Sequence, residues 1–178
     1  GWTGNALNIV EGVNQANVAT AGNAYDVNLS GALTLTANAT YTLTFDAKGT
    51  DGRTLVAGIG ESGGAFRNDS ETVELATDWQ TYTLHLTATG ADSAGFEGAT
   101  RVLFDMGADV GAIDLDNVSV VAGHIGTAGV IVTEAGSSDP VNLVESGTFD
   151  AATGWTGNAL NIVEGVNQAN VATAGNAY

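Results

Sequence analysis

Few side chains in this chain could carry covalent chemistry. Its histidines are His85 and His124, and it has no cysteine, so neither a thiolate nucleophile nor a disulfide framework is available. No Gly-x-Ser-x-Gly elbow presents an activated serine. Glu61 and Glu71 are the one carboxylate pair that could be drawn for glycoside hydrolysis, one as acid and the other as nucleophile or base. Acids at this density are ordinary on an acidic surface, however, and neither histidine has a catalytic constellation around it in sequence. The chain is therefore read as not an enzyme. The other chemistry within reach is sugar binding, in which an exposed ring stacks on a pyranose and nearby polar groups fix its hydroxyls. Phe66 and Arg67 lie in the Gly-rich stretch 61–68, which has the composition of a ligand-facing loop. Tyr25, Arg53, Gln80 and Arg101 are further candidates.

The charge balance narrows the partners. Four basic residues stand against 20 acidic ones, for a formal net charge of −16. Such a surface repels nucleic-acid phosphates and anionic membranes and attracts divalent cations. No stretch approaches the ~20 apolar residues of a membrane span, so no membrane insertion is expected. With 44% hydrophobic residues the chain can bury a core. It opens on Gly rather than Met, which reads as an internal start.

The elements that position these side chains read as strands. Tyr41, Leu43, Phe45 and Ala47 alternate with Thr42, Thr44, Asp46 and Lys48. Tyr82, Leu84 and Leu86 alternate with Thr83, His85 and Thr87, and Val102, Phe104 and Met106 with Leu103 and Asp105. Successive strand side chains point to opposite faces, so each set predicts one buried and one exposed face. Turn signals separate the sets at Lys48–Gly52, Ser62–Gly64, Thr89–Asp92 and Met106–Asp109. Many short strands at this spacing predict an all-β fold, a jelly-roll β-sandwich.

Residues 1–25 recur letter for letter as residues 154–178, an offset of 153. Twenty-five consecutive identities predict a tandem array of near-identical units, the alternative being a circular permutant with a duplicated end. The phase places a β-sandwich module lacking its first strand at 1–121, a connector at 122–140, and the start of the next identical module at 141–178. Within the connector, Val130, Ile131, Val132 and Thr133 follow Gly129 as four β-branched residues, the pattern of a strand between turns. Leaving them in water is costly, since each apolar side chain fully buried contributes roughly 1.5–3 kcal/mol. Such a strand either extends the edge of its own module or docks on its neighbour; an inter-module contact that stiffens the array is the expectation carried forward.

The order of motifs resembles a known family. Val141–Asp150 followed by Gly154-Trp155, then Asp78-Trp79-Gln80-Thr81-Tyr82, and finally Ile113-Asp114-Leu115-Asp116-Asn117-Val118-Ser119-Val120, resemble the opening, a middle strand and the closing strand of carbohydrate-binding modules of families 4 and 9. The resemblance covers nearly the whole unit apart from the connector. It implies a secreted or cell-surface jelly roll. It also implies a structural Ca²⁺ held by Asp116 and Asp150; Asp114, two residues from Asp116 and so on the same strand face, is a further candidate. Trp2 and Trp79 fall at family positions that are structural, so both are expected to be buried. The function expected is a non-catalytic extracellular tandem-repeat protein. Its modules serve as structural or adhesive units of a fibre or surface stalk, with neighbouring identical modules or subunits as partners. The alternative is a glycan-binding module of β-glucan type, repeated for avidity on polysaccharide.

Overall fold

A computed structural model describes residues 1–124, together with the backbone of 129–131, 162–163 and 166–167. Its strands in chain order are β1 (Trp2–Thr3), β2 (Ile9–Val10), β3 (Val13–Val18), β4 (Asn28–Leu33), β5 (Thr40–Gly49), β6 (Thr54–Glu61), β7 (Asn68–Glu74), β8 (Gln80–Thr87), β9 (Thr100–Asp105), β10 (Gly111–Ala122), β11 (Gly129–Ile131), β12 (Ile162–Val163) and β13 (Val166–Asn167). Two antiparallel sheets face each other. One has five strands in the order β1-β4-β9-β6-β7; the other has six, in the order β11-β8-β5-β10-β3-β2. β12 and β13 form a separate hairpin. The all-β jelly-roll sandwich expected from the alternation is the fold observed.

The alternation is what makes two sheets close on one core. Leu29 on β4, Val102 and Phe104 on β9, and Leu55, Ala57 and Ile59 on β6 point inward from the five-stranded sheet, all buried. Leu43, Phe45 and Ala47 on β5, Tyr82, Leu84 and Leu86 on β8, and Ile113, Leu115, Val118 and Val120 on β10 meet them from the six-stranded sheet. Aromatic rings bridge the layers. Phe45 stacks on Tyr82 at 5.3 Å and meets Phe104 edge-on at 5.2 Å, and Phe104 lies 6.2 Å from Trp2. Offset and edge-on pairs of this kind place the positive ring edge against the negative face. β10 keeps its inward residues on the core through a bulge between Asp116 and Ser119, where Asn117 adopts φ +50. Asn tolerates the left-handed region better than most residues, which suits it to that corner.

After β10 the chain crosses the outer face of the six-stranded sheet. Thr42 Oγ1 donates to the Gly123 carbonyl at 2.7 Å, and the His124 ring stacks on His85 at 4.7 Å between centroids. β11 then pairs with β8 of the same module, Gly129 opposite Thr83, Val130 opposite Tyr82 and Ile131 opposite Thr81. This corrects the expected inter-module contact for Val130 and Ile131. The open edge of β8 lies within reach of a chain that has just crossed that sheet, so the strand satisfies its backbone groups at home. Val132 and Thr133 lie outside the described residues.

Candidate functional site

The outer face of the five-stranded sheet is set by the residues that alternate with the core. Register places them in three rows across β4, β9, β6 and β7. The first is Asn28, Asp105, Val56 and Thr72; the second is Ser30, Leu103, Gly58 and Ser70; the third is Ala32, Arg101, Gly60 and Asn68. Gly58 and Gly60 decide the shape. A Cβ on Gly58 would lie 2.4 Å from the Asp69 carbonyl oxygen and 2.5 Å from Ser70 Cβ, and one on Gly60 would lie 2.8 Å from the Arg67 carbonyl oxygen. Because Ala57 and Ile59 point into the core, both contacts lie on the outer side. β7 therefore folds over that side and raises a wall along it, which side chains at positions 58 and 60 would prevent. The floor beside the wall is apolar at Leu103, only 2% exposed although it faces away from the core.

Polar groups line this floor. Arg101 Nη1 donates to Ser30 Oγ at 3.2 Å. Burial pushes the Asp105 carboxyl above its usual range, an effect that the Arg101 charge opposes. Two exposed rings stand at diagonally opposite corners. Tyr25 is 64% exposed in a 3₁₀ turn (Ala24–Asp26) just before β4, at the first-row end. Phe66 is 57% exposed just before β7, at the third-row end. The same device anchors both. Asn28, the first residue of β4, donates its amide to the Tyr25 carbonyl at 2.9 Å, and Asn68, the first residue of β7, donates to the Phe66 carbonyl at 3.2 Å. With strands ≈ 4.8 Å apart and ≈ 3.4 Å per residue, the corners are separated by roughly 20 Å.

A polar network holds the Phe66 corner. The Glu61 carboxylate accepts from the Glu97 N–H at 2.8 Å, the Arg67 N–H at 3.1 Å and Arg67 Nη1 at 3.2 Å. Arg67 Nε reaches Asp92 at 2.9 Å. The Glu97 N–H foremost, with the Arg67 donors, holds Glu61 below the usual carboxylate range, and the Arg67 guanidinium does the same for Asp92. This network ties the 61–68 loop to the 89–98 loop. Beyond it, Asn68, Asp69, Ser70, Thr87, Thr89, Gly90 and Ala91 line an open cleft of about 530 Å³.

Arg101 thus lies on this sheet, and Tyr25 and Phe66 lie on turns leading into two of its strands. Arg53 does not join them. It is 3% exposed, and its guanidinium donates to the Met106 carbonyl at 2.6 Å and to the Asp109 carbonyl, so its expected sugar contact is corrected to a structural role. Arg67 is engaged by Glu61, Asp92 and Glu97 and acts as a brace. Gln80 starts β8 on the other sheet, opposite Ala47. Trp2 is buried as expected, but Trp79 is 41% exposed with Lys48 Nζ 5.2 Å above its ring, so its expected burial is also corrected. Glu61 and Glu71 do not form a reactive pair: Glu61 is locked in its network, while Glu71 is exposed on β7. The residues that sequence reasoning missed include Asn28, Gly58, Gly60, Asn68, Ser70, Leu103 and Asp105. The spacing of Gly58 and Gly60 on one strand face was the available signal.

Of the metal candidates, Asp114 and Asp116 lie on β10 of the six-stranded sheet. Asp114 pairs with Lys48 at 3.4 Å. Asp116 stands opposite Asp46 across β10 and β5, and Asn117 bonds both, its N–H to Asp116 and its amide to Asp46. Among the described residues no three metal-binding side chains gather. These carboxylates alone fall short of the six to eight oxygens of a Ca²⁺ shell. Asp150 lies outside the described residues.

This two-sheet arrangement matches solved structures. The carbohydrate-binding module CBM4 aligns with TM-score 0.57 and 24% identity over 67% of this chain and 77% of its own. The apo carbohydrate-binding module of PbXyn10C aligns at 0.52 and 23% over 85% and 82%. The second N-terminal cellulose-binding domain of Cellulomonas fimi β-1,4-glucanase C aligns at 0.54 and 20% over 70% and 86%. This chain has the fold of a jelly-roll carbohydrate-binding module. At these identities the likeness is one of fold, and the jelly roll's ligand must be argued from its own residues. No protein-family model and no curated protein matches the sequence. Among the described residues no helix is long and apolar enough to cross a membrane.

Proposed function

We propose that the chain is a secreted, non-catalytic module that binds a β-glucan-type polysaccharide along the outer face of its five-stranded sheet. The observation that carries this reading is the pair of exposed rings, Tyr25 and Phe66, each anchored by an asparagine at opposite corners of one floor. Exposed rings on turns whose backbone is hydrogen-bonded in place supply surface for stacking. Between them, Arg101, Asp105 and Ser70 offer donors and acceptors for hydroxyls. The fold shared with cellulose- and carbohydrate-binding modules supports the same reading. Isothermal titration with soluble β-glucan, cellulose and xylan oligosaccharides tests it. Tyr25→Ala and Phe66→Ala should each weaken binding about tenfold, the scale of a lost anchor at about 1.4 kcal/mol, with melting unchanged. Wild-type protein that binds none of these glycans, or variants that bind like wild type, would overturn it.

The exact repeat supports a second reading, in which such modules are units of an extracellular fibre or surface stalk. The two are compatible, since repeated sites multiply avidity. A structural Ca²⁺ at Asp116 belongs to this proposal only together with Asp150.

A further inference from the structure

β7 is the last strand of its sheet, so one of its edges is paired and the other is open. The Glu61 N–H donates to the Arg67 carbonyl at 2.8 Å, and the Leu75 N–H to the Arg53 carbonyl at 2.7 Å. In an antiparallel pair such bonds fall on alternate residues, so Arg67, Asp69, Glu71, Val73 and Leu75 turn their backbone groups to β6. Asn68, Ser70 and Thr72 turn theirs away from it. Glu74, the next residue of that set, shows where they point. Its carbonyl accepts from the Tyr82 hydroxyl of β8 at 3.1 Å, across the side of the sandwich between the two sheets.

At the other end of this side, the cleft of about 530 Å³ lies between β7 and the end of β8. Its volume falls within the ≈ 300–1,000 Å³ of small-molecule sites. Small residues keep it open, Ser70 on one side and Thr87, Thr89, Gly90 and Ala91 on the other. Asp69 reaches across, its Oδ2 accepting from the Thr87 N–H at 2.6 Å. Asp69 Oδ1 and the Thr87 hydroxyl take no hydrogen bond among the described residues. The far wall is fixed in place. Gly90 is buried against the Arg67 stem, where a Cβ would lie 2.9 Å from Arg67 Cβ, and Arg67 Nε holds Asp92 of the same turn at 2.9 Å. The cleft thus offers an unused carboxylate oxygen, an unused hydroxyl and the open backbone edge of β7, the mixture of acceptors and donors that sugar hydroxyls bond to.

This cleft begins where the Phe66 corner ends, since Asn68 both donates to the Phe66 carbonyl and lines the cleft. We propose that it is a further subsite, taking a neutral pyranose unit joined to the one stacked on Phe66. This assignment rests on the glycan-binding reading and extends it from the sheet face around the β7 edge. Hydroxyls of the unit donate to Asp69 Oδ1 and exchange hydrogen bonds with the Thr87 hydroxyl and the outward backbone groups of Asn68 and Ser70. Asp69 is the charged residue of the lining, so a uronic acid in its place would meet a like charge. The unit arrives as the next one of the main chain or as a side branch; both bring the same hydroxyls.

Ala91→Trp tests this in the full chain, because it fills the cleft from an exposed position and leaves Tyr25, Phe66 and Arg101 in place. Thr87→Val is the milder variant, removing the unused hydroxyl and keeping the N–H that bonds Asp69. Both should melt as wild type does. Isothermal titration with a ladder of linear gluco-oligosaccharides, and with branched ones of the same main chain, reads the effect. Ligands just long enough to be weakened by both Tyr25→Ala and Phe66→Ala should bind the two cleft variants as tightly as wild type. Longer or branched ligands should lose about tenfold in Ala91→Trp and about threefold in Thr87→Val, the scales of a lost subsite and of one hydrogen bond. A loss confined to longer linear ligands assigns the cleft to the main chain, and one confined to branched ligands assigns it to a side branch. Equal or tighter binding of every ligand by Ala91→Trp would overturn the subsite and leave the sheet-face reading intact. An equal loss on short and long ligands would do the same, since it places the effect at Phe66. Wild-type protein that binds no glycan of either kind removes both.

Discussion

The two outer faces of this sandwich are built from the same strand alternation and are used differently. The outer face of the six-stranded sheet is a threonine-rich surface that the protein covers with its own chain. Thr42 Oγ1 donates to the Gly123 carbonyl and the His124 ring stacks on His85, while β11 extends the sheet at the β8 edge. The outer face of the five-stranded sheet has glycines where the other has threonines, a wall where β7 folds over, and exposed rings at two corners. The lesson lies in the side-chain volume at alternate positions. Threonine and valine on β5, β8 and β10 leave a flat surface that a crossing segment can lie on. Gly58 and Gly60 allow one strand to lean over the sheet, because neither carries a side chain to hold it off.

The largest effect should come from removing that difference. Gly58→Val places a side chain 2.4 Å from the Asp69 carbonyl oxygen, backbone that cannot yield without displacing β7. We expect a loss of about 3 kcal/mol, the upper range of overpacking, and a fall of roughly 10 °C in Tm. Thr44→Val on the six-stranded face, by contrast, should leave melting nearly unchanged. Equal melting of the two variants would show that the glycine face is not conformationally special.

A smaller effect should appear with pH, and two carboxylates of the five-stranded sheet should behave oppositely. Glu61 is held below its ordinary value, first by the Glu97 N–H and then by Arg67. Its contribution is therefore present above the unfolded value of about 4.3 and is lost as pH falls through the folded one. Glu61→Gln should melt below wild type at pH 7 and converge on it in acid. Asp105 is pushed up by burial, so it opposes folding at neutral pH and ceases to do so as pH falls through its raised value. Asp105→Asn should melt above wild type at pH 7, with the gap closing in acid. Parallel curves for the two variants would contradict these assignments.

Calcium should give the smallest effect and should act on the other sheet. If Asp116 and Asp150 hold a structural ion, excess Ca²⁺ should raise Tm by a few degrees over a chelator, as a ligand of the folded state does by mass action. Asp116→Asn should abolish the rise, whereas Tyr25→Ala should not. Identical melting in calcium and chelator would remove the ion from the proposal.

What the sequence determined by itself was whatever depends on periodicity and identity. Alternation along β5, β8 and β9 was enough to predict strands and their buried faces, because side-chain direction in a strand has a period of two whatever surrounds it. The repeat was visible letter by letter, and the near absence of cationic and catalytic side chains was a matter of counting. Tertiary structure alone decided which residues come together on each outer face. Arg53 and Arg101 were equal candidates for a sugar contact in sequence, yet one is buried against the Met106 and Asp109 carbonyls and the other lies beside Ser30 on β4. Trp79 reads as core by motif but lies at a strand start where Lys48 covers one face of its ring. The strand at Gly129–Ile131 was legible as a strand but not its partner, because backbone pairing carries no sequence label and the nearest open edge wins. Each of these outcomes depends on distances between residues far apart in the chain, and those distances exist only once both sheets have closed on the core.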